Sequence, residues 1–300
     1  MIMDALLYWF TKTLVTLLQA LPLRGVARLG RWGGGLAFHL DGRHRRVTLR
    51  NLAMCFPEKS AAETRAITKE VFRRLGENYL CAIKTAAMTS EELKPHFKFV
   101  GAAKILAHTI EPKPGPKNCM VALGHFGNFE LYARFQEYVP AYQCAGTYRA
   151  LRQPALNRLL LELRGKSGCR FFERRSEADA LKAAMASTGL MLGLMVDQHA
   201  SLGSIRLPFF GHECSVNTAT AVLALRYHCP LHTGICYRTG LAQWQIEAGD
   251  EIPTRVDGHP RPVADIMTDV NRALEAAIRR DPANWFWVHN RWKPGKTKPA

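Results

Sequence analysis

Short apolar runs alternate with amphipathic stretches over the second half of the chain. The apolar runs are NCMVALG, YQCAGTYR, LMLGLMVDQ and PLHTGICYR. The stretches between and after them keep helical spacing over 129–138, 154–164, 176–187 and 217–228. Runs that are apolar throughout are typical of strands in a sheet covered on both faces, and strands that alternate with helices indicate parallel neighbours. The pattern predicts an α/β fold with a central mixed, largely parallel sheet flanked by helices.

The regions on either side of this pattern predict further elements. Ser60 is placed to cap a long amphipathic helix, and a short helix is predicted to start at Ser90. The segment EPKPGPKN, residues 111–118, predicts an exposed loop because of its prolines and glycine. The alternating run AQWQIEAGDEI predicts an edge strand, and a helix is expected from about Val263 to Arg280.

A hydrophobic and amphipathic helical extension is predicted at the N-terminus. The segment Ala5–Leu23 is about long enough to cross a bilayer, but it contains Lys12 and several polar residues. One face of the predicted helix is apolar and consists of Leu6, Phe10, Leu14, Leu17 and Leu21. This arrangement is typical of a helix that lies in a membrane interface. A core helix of a soluble enzyme is the alternative.

Several arginines follow this segment, from Arg24 to Arg50. A basic flank of this kind keeps the body of a membrane-associated protein on the cytoplasmic side. We therefore expect a membrane-associating helical segment at 1–50 and an α/β domain at 51–300.

The net charge indicates an anionic partner. The chain has 41 Lys and Arg residues against 25 Asp and Glu residues, a formal net charge of +16. Nucleic acid, an anionic membrane surface, or an acidic substrate or carrier would match this charge. The basic residues are scattered and no nucleic-acid-binding module is recognisable, so nucleic acid is not expected as the partner, although a basic binding protein is kept as the alternative from another class. The eight cysteines form no C-x-x-C pair and predict reduced, buried thiols without a metal site.

The segment GHFGNFE carries the candidate chemistry. It places His125 and Glu130 five positions apart, where a predicted strand joins a predicted helix. Gly124 and Gly127 allow a tight turn and close approach of a substrate, and Asn128 is a suitable N-cap for the helix that follows. A carboxylate bound to one imidazole nitrogen leaves the other nitrogen free to accept a proton. On spacing alone, a histidine that caps a helix beside a glutamate is the more frequent explanation.

No Ser or Cys stands inside this segment to act as a nucleophile. The histidine–glutamate pair is therefore predicted to deprotonate a substrate hydroxyl, which attacks an activated acyl carbon without a covalent acyl-enzyme. Backbone N–H groups of the turn at 124–127 are the expected donors to the oxyanion.

GHFGNFE resembles the H-x4-D/E block of the glycerolipid and lysophospholipid acyltransferase superfamily. Its form is similar to that of the bacterial late (lauroyl or myristoyl) acyltransferases of lipid A biosynthesis. Four further segments resemble blocks of that family in the same order. They are VTLRNLAMCFPEKS, NRLLLELRGKSGCRFF, the segment from GLMLGLMVDQHA to HCPL, and WFWVHNRWK. The resemblance covers nearly the whole chain. It implies transfer of a fatty acyl group from an acyl carrier protein thioester to a hydroxyl of an anionic lipid A precursor, at the cytoplasmic face of the cell inner membrane and without a cofactor.

The resemblance also implies roles for individual residues. His125 corresponds to the general base and Glu130 to its acidic partner. Residues expected to border or bind the substrate are Gly127, Asn128, Arg149, Arg164, Asp197 and Arg206. The chain departs from the family where His199 replaces the second acid of a DQD block.

This departure leaves a second acceptor class open, namely a lysophospholipid, an aminolipid or a phosphoinositide mannoside, with acyl carrier protein or acyl-CoA as the donor carrier. His199, His212 and His289 have no evident partner in the sequence and are expected to be structural. The aromatic segment NWFWVHNRWK fits a membrane interface and ordinary packing equally well.

Overall fold

The computed structural model describes residues 2–109, 117–200 and 203–293. The loop predicted over 111–118 lies outside these ranges except for its last two residues. The α-helices of the described part are α1 (Ile2–Ala20), α2 (Leu23–Leu40), α3 (Gly42–Cys55), α4 (Ala61–Thr85), α5 (Ser90–Leu93), α6 (Ala102–Leu106), α7 (Pro154–Gly165), α8 (Ala178–Ala186), α9 (Ala219–Tyr227) and α10 (Val263–Arg280). Short 3-10 helices cover Ala107–Thr109, Phe129–Glu137 and Pro282–Asn284.

The strands are β1 (Phe97–Val100), β2 (Cys119–Leu123), β3 (Gln143–Tyr148), β4 (Arg170–Glu173), β5 (Leu190–Met195), β6 (Ser204–Phe209), β7 (His212–Asn217), β8 (Leu231–Gly240), β9 (Gln243–Ala248), β10 (Arg255–Val256) and β11 (His259–Pro260). Within the described ranges, seven strands form the main sheet in the order β1-β9-β8-β2-β5-β3-β4. The pair β8 and β9 is antiparallel, and the other neighbours are parallel. The predicted α/β class with a mixed, largely parallel sheet is confirmed.

The prediction that AQWQIEAGDEI forms an edge strand is wrong, because β1 pairs with β9 in parallel on its outer side. Side chains of β9 alternate between buried and half-buried positions. Such alternation indicates that one face of the strand is less covered by other elements. It does not indicate whether a further strand pairs with its outer side. The outermost strand, β1, is only four residues long, and its sequence FKFV gave no distinct signal.

Several predicted elements are found with their expected ends. Ser60 accepts a hydrogen bond from the backbone N–H of Glu63 and forms a capping box at the start of α4. The helix α10 covers the predicted range, Val263 to Arg280. The predicted domain boundary at residue 50 falls inside α3.

Glycines allow α2 and α4 to approach each other closely. A Cβ atom added to Gly30 would lie 2.4 Å from the carbonyl oxygen of Gly76, and one added to Gly76 would meet the carbonyl oxygen of Gly30. Only residues without side chains permit this backbone contact. The two helices therefore form a closely packed pair.

A buried carboxylate joins this helix pair to the sheet. Glu77 of α4 is fully buried, and its Oε2 accepts hydrogen bonds from Arg238 Nε of β8 (2.9 Å) and Arg31 Nη1 of α2 (3.3 Å). Its Oε1 accepts from the backbone N–H of Ala242 at 3.0 Å. A buried charge is tolerated when it is paired and hydrogen-bonded in this way.

The helix α1 contacts the protein through Tyr8, Lys12 and Gln19 and turns its predicted apolar face outwards. Tyr8 Oη donates to Glu162 of α7 (2.7 Å), Lys12 Nζ donates to the same carboxylate (3.0 Å), and Gln19 Nε2 donates to the carbonyl of Ile83 (2.9 Å). The side chains of the predicted apolar face are 43–65% exposed; they are Leu6, Phe10, Leu14, Leu17 and Leu21. A core helix would bury this face, so that alternative is wrong. Within the described ranges, no helix has both the length and the apolar character needed to cross a bilayer.

The aromatic segment near the C-terminus is packed inside the protein. Trp285, Trp287 and Arg291 are fully buried or nearly so, and the guanidinium of Arg291 stacks 4.0 Å from the ring centre of Phe209. The packing interpretation of NWFWVHNRWK is therefore confirmed, and the interpretation as a membrane-interface belt is wrong.

Candidate active site

The central strands bring His125 and Asp197 together at their carboxyl ends. Strands β2 and β5 are parallel neighbours in which Leu123 lies opposite Met195. His125 and Asp197 each follow these last strand residues by two positions. The Nδ1 atom of His125 lies 2.8 Å from Oδ1 of Asp197, and the backbone N–H of His125 donates to Oδ2 at 2.7 Å. This edge of an open α/β sheet is where ligands bind.

Asp197 is held from a third direction by Trp285, whose Nε1–H donates to Oδ2 at 2.8 Å. Asp197 is 1% exposed, and burial alone would raise its pKa. Attraction by His125, the two hydrogen bonds from His125 and the charge of Arg291 outweigh burial and lower the pKa of Asp197 to about 2. Asp197 is therefore an ionised carboxylate whose Oδ1 accepts a hydrogen bond from the Nδ1–H group of His125.

This arrangement leaves Nε2 of His125 as the free basic nitrogen. The side chain of His125 is 18% exposed and lines a cavity of about 800 Å³. The Nε2 of Gln198 lies 3.4 Å from the Nε2 of His125, so the amide can donate to the imidazole lone pair. A carboxylate behind Nδ1 and an open Nε2 are the arrangement of a general base.

The carboxylate that contacts His125 differs from the predicted one. Glu130 accepts two hydrogen bonds from Arg164, from Nε at 2.9 Å and from Nη2 at 2.6 Å. The helix that carries Glu130 is a 3-10 helix, and its first turn directs Glu130 towards α7. The expected hydrogen-bonded pair of His125 and Glu130 is therefore corrected to His125 and Asp197, while Glu130 and Arg164 both line the same cavity.

The turn before this helix has a packing role. Gly127 has a φ of +48°, and a Cβ atom there would lie 2.8 Å from the carbonyl oxygen of Cys236. Asn128 makes no side-chain cap hydrogen bond; it is buried, and its Nδ2 donates to Thr85 Oγ1 at 3.4 Å. Asn128 is therefore not the expected cap. Neither residue lines the main cavity, but Asn128 borders the apolar cavity between α4, the 3-10 helix and α7.

Three of the four backbone N–H groups of the turn at 124–127 are already bonded. His125 donates to Asp197, Phe126 donates to the carbonyl of Gly124 (2.9 Å), and Gly127 donates to the carbonyl of Asn284 (3.0 Å). These three N–H groups are therefore not free to bind an oxyanion. The sequence-based prediction that they donate to it is not supported. The amide of Gln198 is a donor that faces the cavity instead.

Arginines give one wall of the cavity its positive charge. Arg149 and Arg164 line it as predicted, together with Arg174 and Arg175, which the sequence analysis missed. Arg149, Arg174 and Arg175 are exposed. Arg206 is placed elsewhere, in the β6–β7 hairpin, where its Nε lies 3.4 Å from Oε2 of Glu213. Guanidinium groups at a cavity wall are suited to phosphate or carboxylate ligands.

The histidines without assigned roles have structural partners. The Nε2 of His289 accepts the backbone N–H of His199 at 3.0 Å. Burial lowers the pKa of His289 to about 4, which agrees with a neutral acceptor. His212 Nε2 lies 3.2 Å from the carbonyl of Met54. His199 also lines the main cavity.

Two thiols border the cavity. Burial raises the pKa of Cys169 to about 12, and burial also raises the pKa of Cys144. A thiol acts as a nucleophile only as the thiolate, so neither is suited to form a thioester intermediate. All cysteines of the described part are free thiols, as the sequence predicted, although Cys169 is half-buried.

A second, smaller cavity of about 270 Å³ lies beside the first, between α4, the 3-10 helix and α7. Its wall is mainly apolar and includes Ala82, Ile83, Leu131, Leu160 and Leu163. Glu130 and Arg164 line both cavities and mark the place where they meet.

Comparison with known proteins gives one family over almost the entire chain. The model of the family described as bacterial lipid A biosynthesis acyltransferase matches residues 2–294. The lipid A biosynthesis palmitoleoyltransferase of Escherichia coli strain K12 is 23% identical over 299 residues, which cover 98% of this chain and 92% of that protein. The lipid A biosynthesis lauroyltransferase of the same organism is 23% identical over 295 residues, with 95% and 92% covered. A lipid A biosynthesis acyltransferase of Shigella flexneri is 23% identical over 299 residues, with 98% and 92% covered.

Proposed function

Because this chain belongs to the bacterial lipid A biosynthesis acyltransferase family, we propose that it moves a fatty acyl group from an acyl carrier protein thioester to a hydroxyl of a lipid A precursor. Membership of the family makes the protein an acyltransferase and confirms the resemblance recognised in its sequence. The observation that carries the finer proposal is the pair of His125 and Asp197, with the free Nε2 of His125 facing a cavity lined by arginines.

The proposed reaction begins with the removal of a proton. The Nε2 atom of His125 takes the proton of the acceptor hydroxyl, and Asp197 stabilises the imidazolium that forms. The hydroxyl oxygen forms a bond to the thioester carbonyl carbon, and the carbonyl oxygen becomes negatively charged. Collapse of this intermediate breaks the carbon–sulfur bond, and the imidazolium returns its proton to the leaving sulfur. The raised pKa of both cavity thiols favours this direct route over an acyl-enzyme.

Gln198 is the side chain that we assign to the oxyanion. Its amide can donate to the Nε2 of His125, and the acceptor hydroxyl would replace this contact when it binds. The amide N–H groups can then donate to a carbonyl oxygen bound next to the attacking hydroxyl. Loss of one oxyanion donor lowers turnover by about 10² to 10³ in other acyl-transfer enzymes. Glu130 has the role of holding Arg164 in place at the cavity wall.

The positive charge of the cavity supports an anionic acceptor. Arg149, Arg174 and Arg175 are exposed at its wall, and each can bind a phosphate through two N–H groups. Acyl carrier proteins are acidic, and the net charge of +16 favours their approach. The adjoining apolar cavity is the proposed site for the hydrocarbon chain, because its wall offers few polar partners.

The outward apolar face of α1 supports attachment to the inner membrane at its cytoplasmic face. The exposed leucines and Phe10 would enter the headgroup boundary, while Lys12 and Tyr8 keep the opposite face bound to α7. The helix α2 adds exposed apolar side chains at Trp32 and Leu40. Nearby arginines, which are exposed at Arg24, Arg28, Arg43, Arg46 and Arg50, would contact anionic lipids.

The acceptor has one specific alternative. His199 lines the cavity at the position where the family pattern has an acid, so the site differs close to the substrate. A lysophospholipid or another lipid with a free hydroxyl is therefore the second candidate acceptor, with the same chemistry.

The test is a transfer assay with matched donors and acceptors. Purified protein is incubated with acyl carrier protein thioester or acyl-CoA and with either a lipid A precursor or a lysophospholipid, and the products are identified by mass spectrometry. Acylation of the lipid A precursor from the carrier protein, lowered at least 10²- to 10³-fold in His125→Ala, is expected. The control is His212→Ala, which changes an exposed histidine outside the cavity. Equal transfer by wild type and His125→Ala would contradict the mechanism, and exclusive acylation of the lysophospholipid would change the acceptor.

A separate experiment tests the membrane face. Leu14→Glu and Leu17→Glu place charges on the outward face of α1 and are expected to move the protein from sedimenting vesicles to the supernatant. Thr16→Glu is the control, since it adds the same charge at an exposed position on the side of Lys12 and Gln19. Unchanged sedimentation of the two leucine variants would contradict attachment through α1.

A further inference from the structure

Three side chains of the metal-ligand type meet near the start of β8, at the opposite end of the strands from the candidate active site. They are His108, His232 and Glu251, and their ligand atoms all lie within 4.8 Å of one another. His232 belongs to β8, where it lies opposite Val121 of β2. His125 follows Val121 by four positions, so at about 3.3 Å per residue the two histidines are separated by about 13 Å along the sheet. The cluster is therefore separate from the acyl-transfer site.

The chain topology explains why these residues meet. Strand β8 begins next to His232, and its antiparallel neighbour β9 ends just before Glu251. Strand β1 runs parallel to β9, and after it α6 and the 3-10 helix at 107–109 bring His108 to the same edge. Residues from three distant parts of the sequence thus converge on one point.

The histidines have their ring nitrogens arranged as metal ligands. The Nε2 atoms of His108 and His232 are 3.0 Å apart, and the Nε2 of His108 is 3.6 Å from Oε2 of Glu251. Ligands about 2.0–2.1 Å from a tetrahedral zinc ion lie about 3.4 Å from each other, so both separations match a shared ion within a few tenths of an ångström. The distance from the Nε2 of His232 to the carboxylate of Glu251 is within 4.8 Å. A rotation of the Glu251 side chain, which is 48% exposed, would shorten this distance to the value for a shared ion.

The surroundings of His232 fix its tautomer. Its side chain is buried, and its Nδ1 lies 3.1 Å from the carbonyl oxygen of Gly249, which can only accept a hydrogen bond. The proton is therefore on Nδ1, and the lone pair of Nε2 points towards His108. A metal-binding histidine is commonly held in this way by a carbonyl or carboxylate acceptor behind the ligand atom.

The geometry points to a zinc site formed by His108, His232 and Glu251, with water as the fourth ligand. Two imidazole nitrogens and one carboxylate oxygen suit Zn²⁺ better than Mg²⁺ or Ca²⁺, which favour oxygen ligands. Lys104 is a nearby cation that would oppose an ion, but its Nζ is paired with Oδ1 of Asp250 at 2.7 Å. The ion joins the segment after β1 to the ends of β8 and β9 and therefore stabilises the outer part of the sheet.

Zinc binding by the purified full-length chain tests the site. After treatment with a chelator, the protein is titrated with Zn²⁺ in competition with a chromophoric chelator, and Co²⁺ absorption reports the coordination number. Wild type is expected to bind one Zn²⁺ with an increase in melting temperature, and bound Co²⁺ should give the intense visible bands of a four-coordinate ion. In His108→Ala and Glu251→Gln, the affinity should fall at least about tenfold and the increase in melting temperature should be lost.

The control variant is His259→Ala, which removes an exposed histidine on β11 and should bind zinc like wild type. His108 and Glu251 are partly exposed, so their variants are expected to fold, and circular dichroism verifies this. Absence of zinc binding to wild type, or equal affinity in wild type and the folded His108→Ala variant, would overturn the assignment.

Discussion

Replacement of Asp197 by Asn tests the assignment of the acid–base pair most directly, because the two side chains have almost the same shape. In the wild type, Oδ2 accepts from the backbone N–H of His125 (2.7 Å) and from Trp285 Nε1 (2.8 Å). An asparagine keeps both bonds if its oxygen takes the place of Oδ2. Its NH₂ group then stands at the Oδ1 position, 2.8 Å from the Nδ1 of His125.

An NH₂ group in that position reverses the tautomer of His125. Nδ1 must accept a hydrogen bond from the amide, so the proton moves to Nε2 and the base that faces the cavity is lost. The same kind of exchange behind a catalytic histidine lowers kcat about 10⁴-fold in serine proteases. We expect Asp197→Asn to lower kcat by about 10³ to 10⁴, which corresponds to about 4 to 5.5 kcal/mol of transition-state stabilisation.

The assay is acyl transfer to the lipid acceptor at saturating donor, with Glu130→Gln as the matched control. Glu130→Gln weakens the pair with Arg164 and leaves the hydrogen bond of His125 intact, so kcat is expected to fall less than about tenfold. Circular dichroism of both variants verifies that they are folded. A large loss in Glu130→Gln together with near-normal turnover in Asp197→Asn would refute our assignment and restore Glu130 as the partner of the base.

The remaining predictions concern the acceptor, the helix pair and acid stability. Arg149→Ala is expected to raise the KM for the anionic acceptor about tenfold or more through loss of a charge-assisted bond, whereas Arg206→Ala, which lies outside the cavity, should leave this KM unchanged in the same assay. Glu77→Ala leaves Arg238 without its buried partner and should lower the free energy of unfolding by about 3–5 kcal/mol in urea titrations; a loss below 1 kcal/mol would contradict this. His289 has a pKa lowered from 6.5 to about 4, so the stability linked to its neutral form is present above pH 6.5 and is lost as the pH falls towards 4. His289→Gln should flatten the pH dependence of the melting temperature in this window, and an unchanged profile would argue against it.

Much of the sheet could be predicted from the sequence because its central strands are mainly apolar. The runs that predict β2, β3, β5 and β8 are mainly apolar, since burial on both faces leaves few polar positions in strand interiors. β1 was missed because four residues carry too little pattern. The edge assignment of the ninth strand failed because pairing is a long-range property of the sheet.

Most residues of the candidate site could be predicted from the sequence, but the contacts between their side chains could not. His125 was found from its position after an apolar strand, and Asp197 was noted for the same reason, yet only the register of β2 and β5 shows that the two side chains meet. The five-residue spacing and the resemblance to the H-x4-D/E block both assign Glu130 to His125, whereas Arg164 on α7 is its partner. Gln198 stands directly after Asp197 and could have been found by the same strand-end reasoning. No sequence signal linked the buried indole of Trp285 to Asp197.

The matching positions of His125 and Asp197 beyond the paired ends of β2 and β5 bear on how such enzymes diversify. The backbone ladder of the sheet fixes the distance between base and acid, and a slip of one residue in either strand would turn that side chain to the opposite face. The walls that select the substrate belong to other elements, the 3-10 helix, α7 and the residues after β4. Exchange of wall residues could therefore alter the accepted lipid without moving His125 or Asp197.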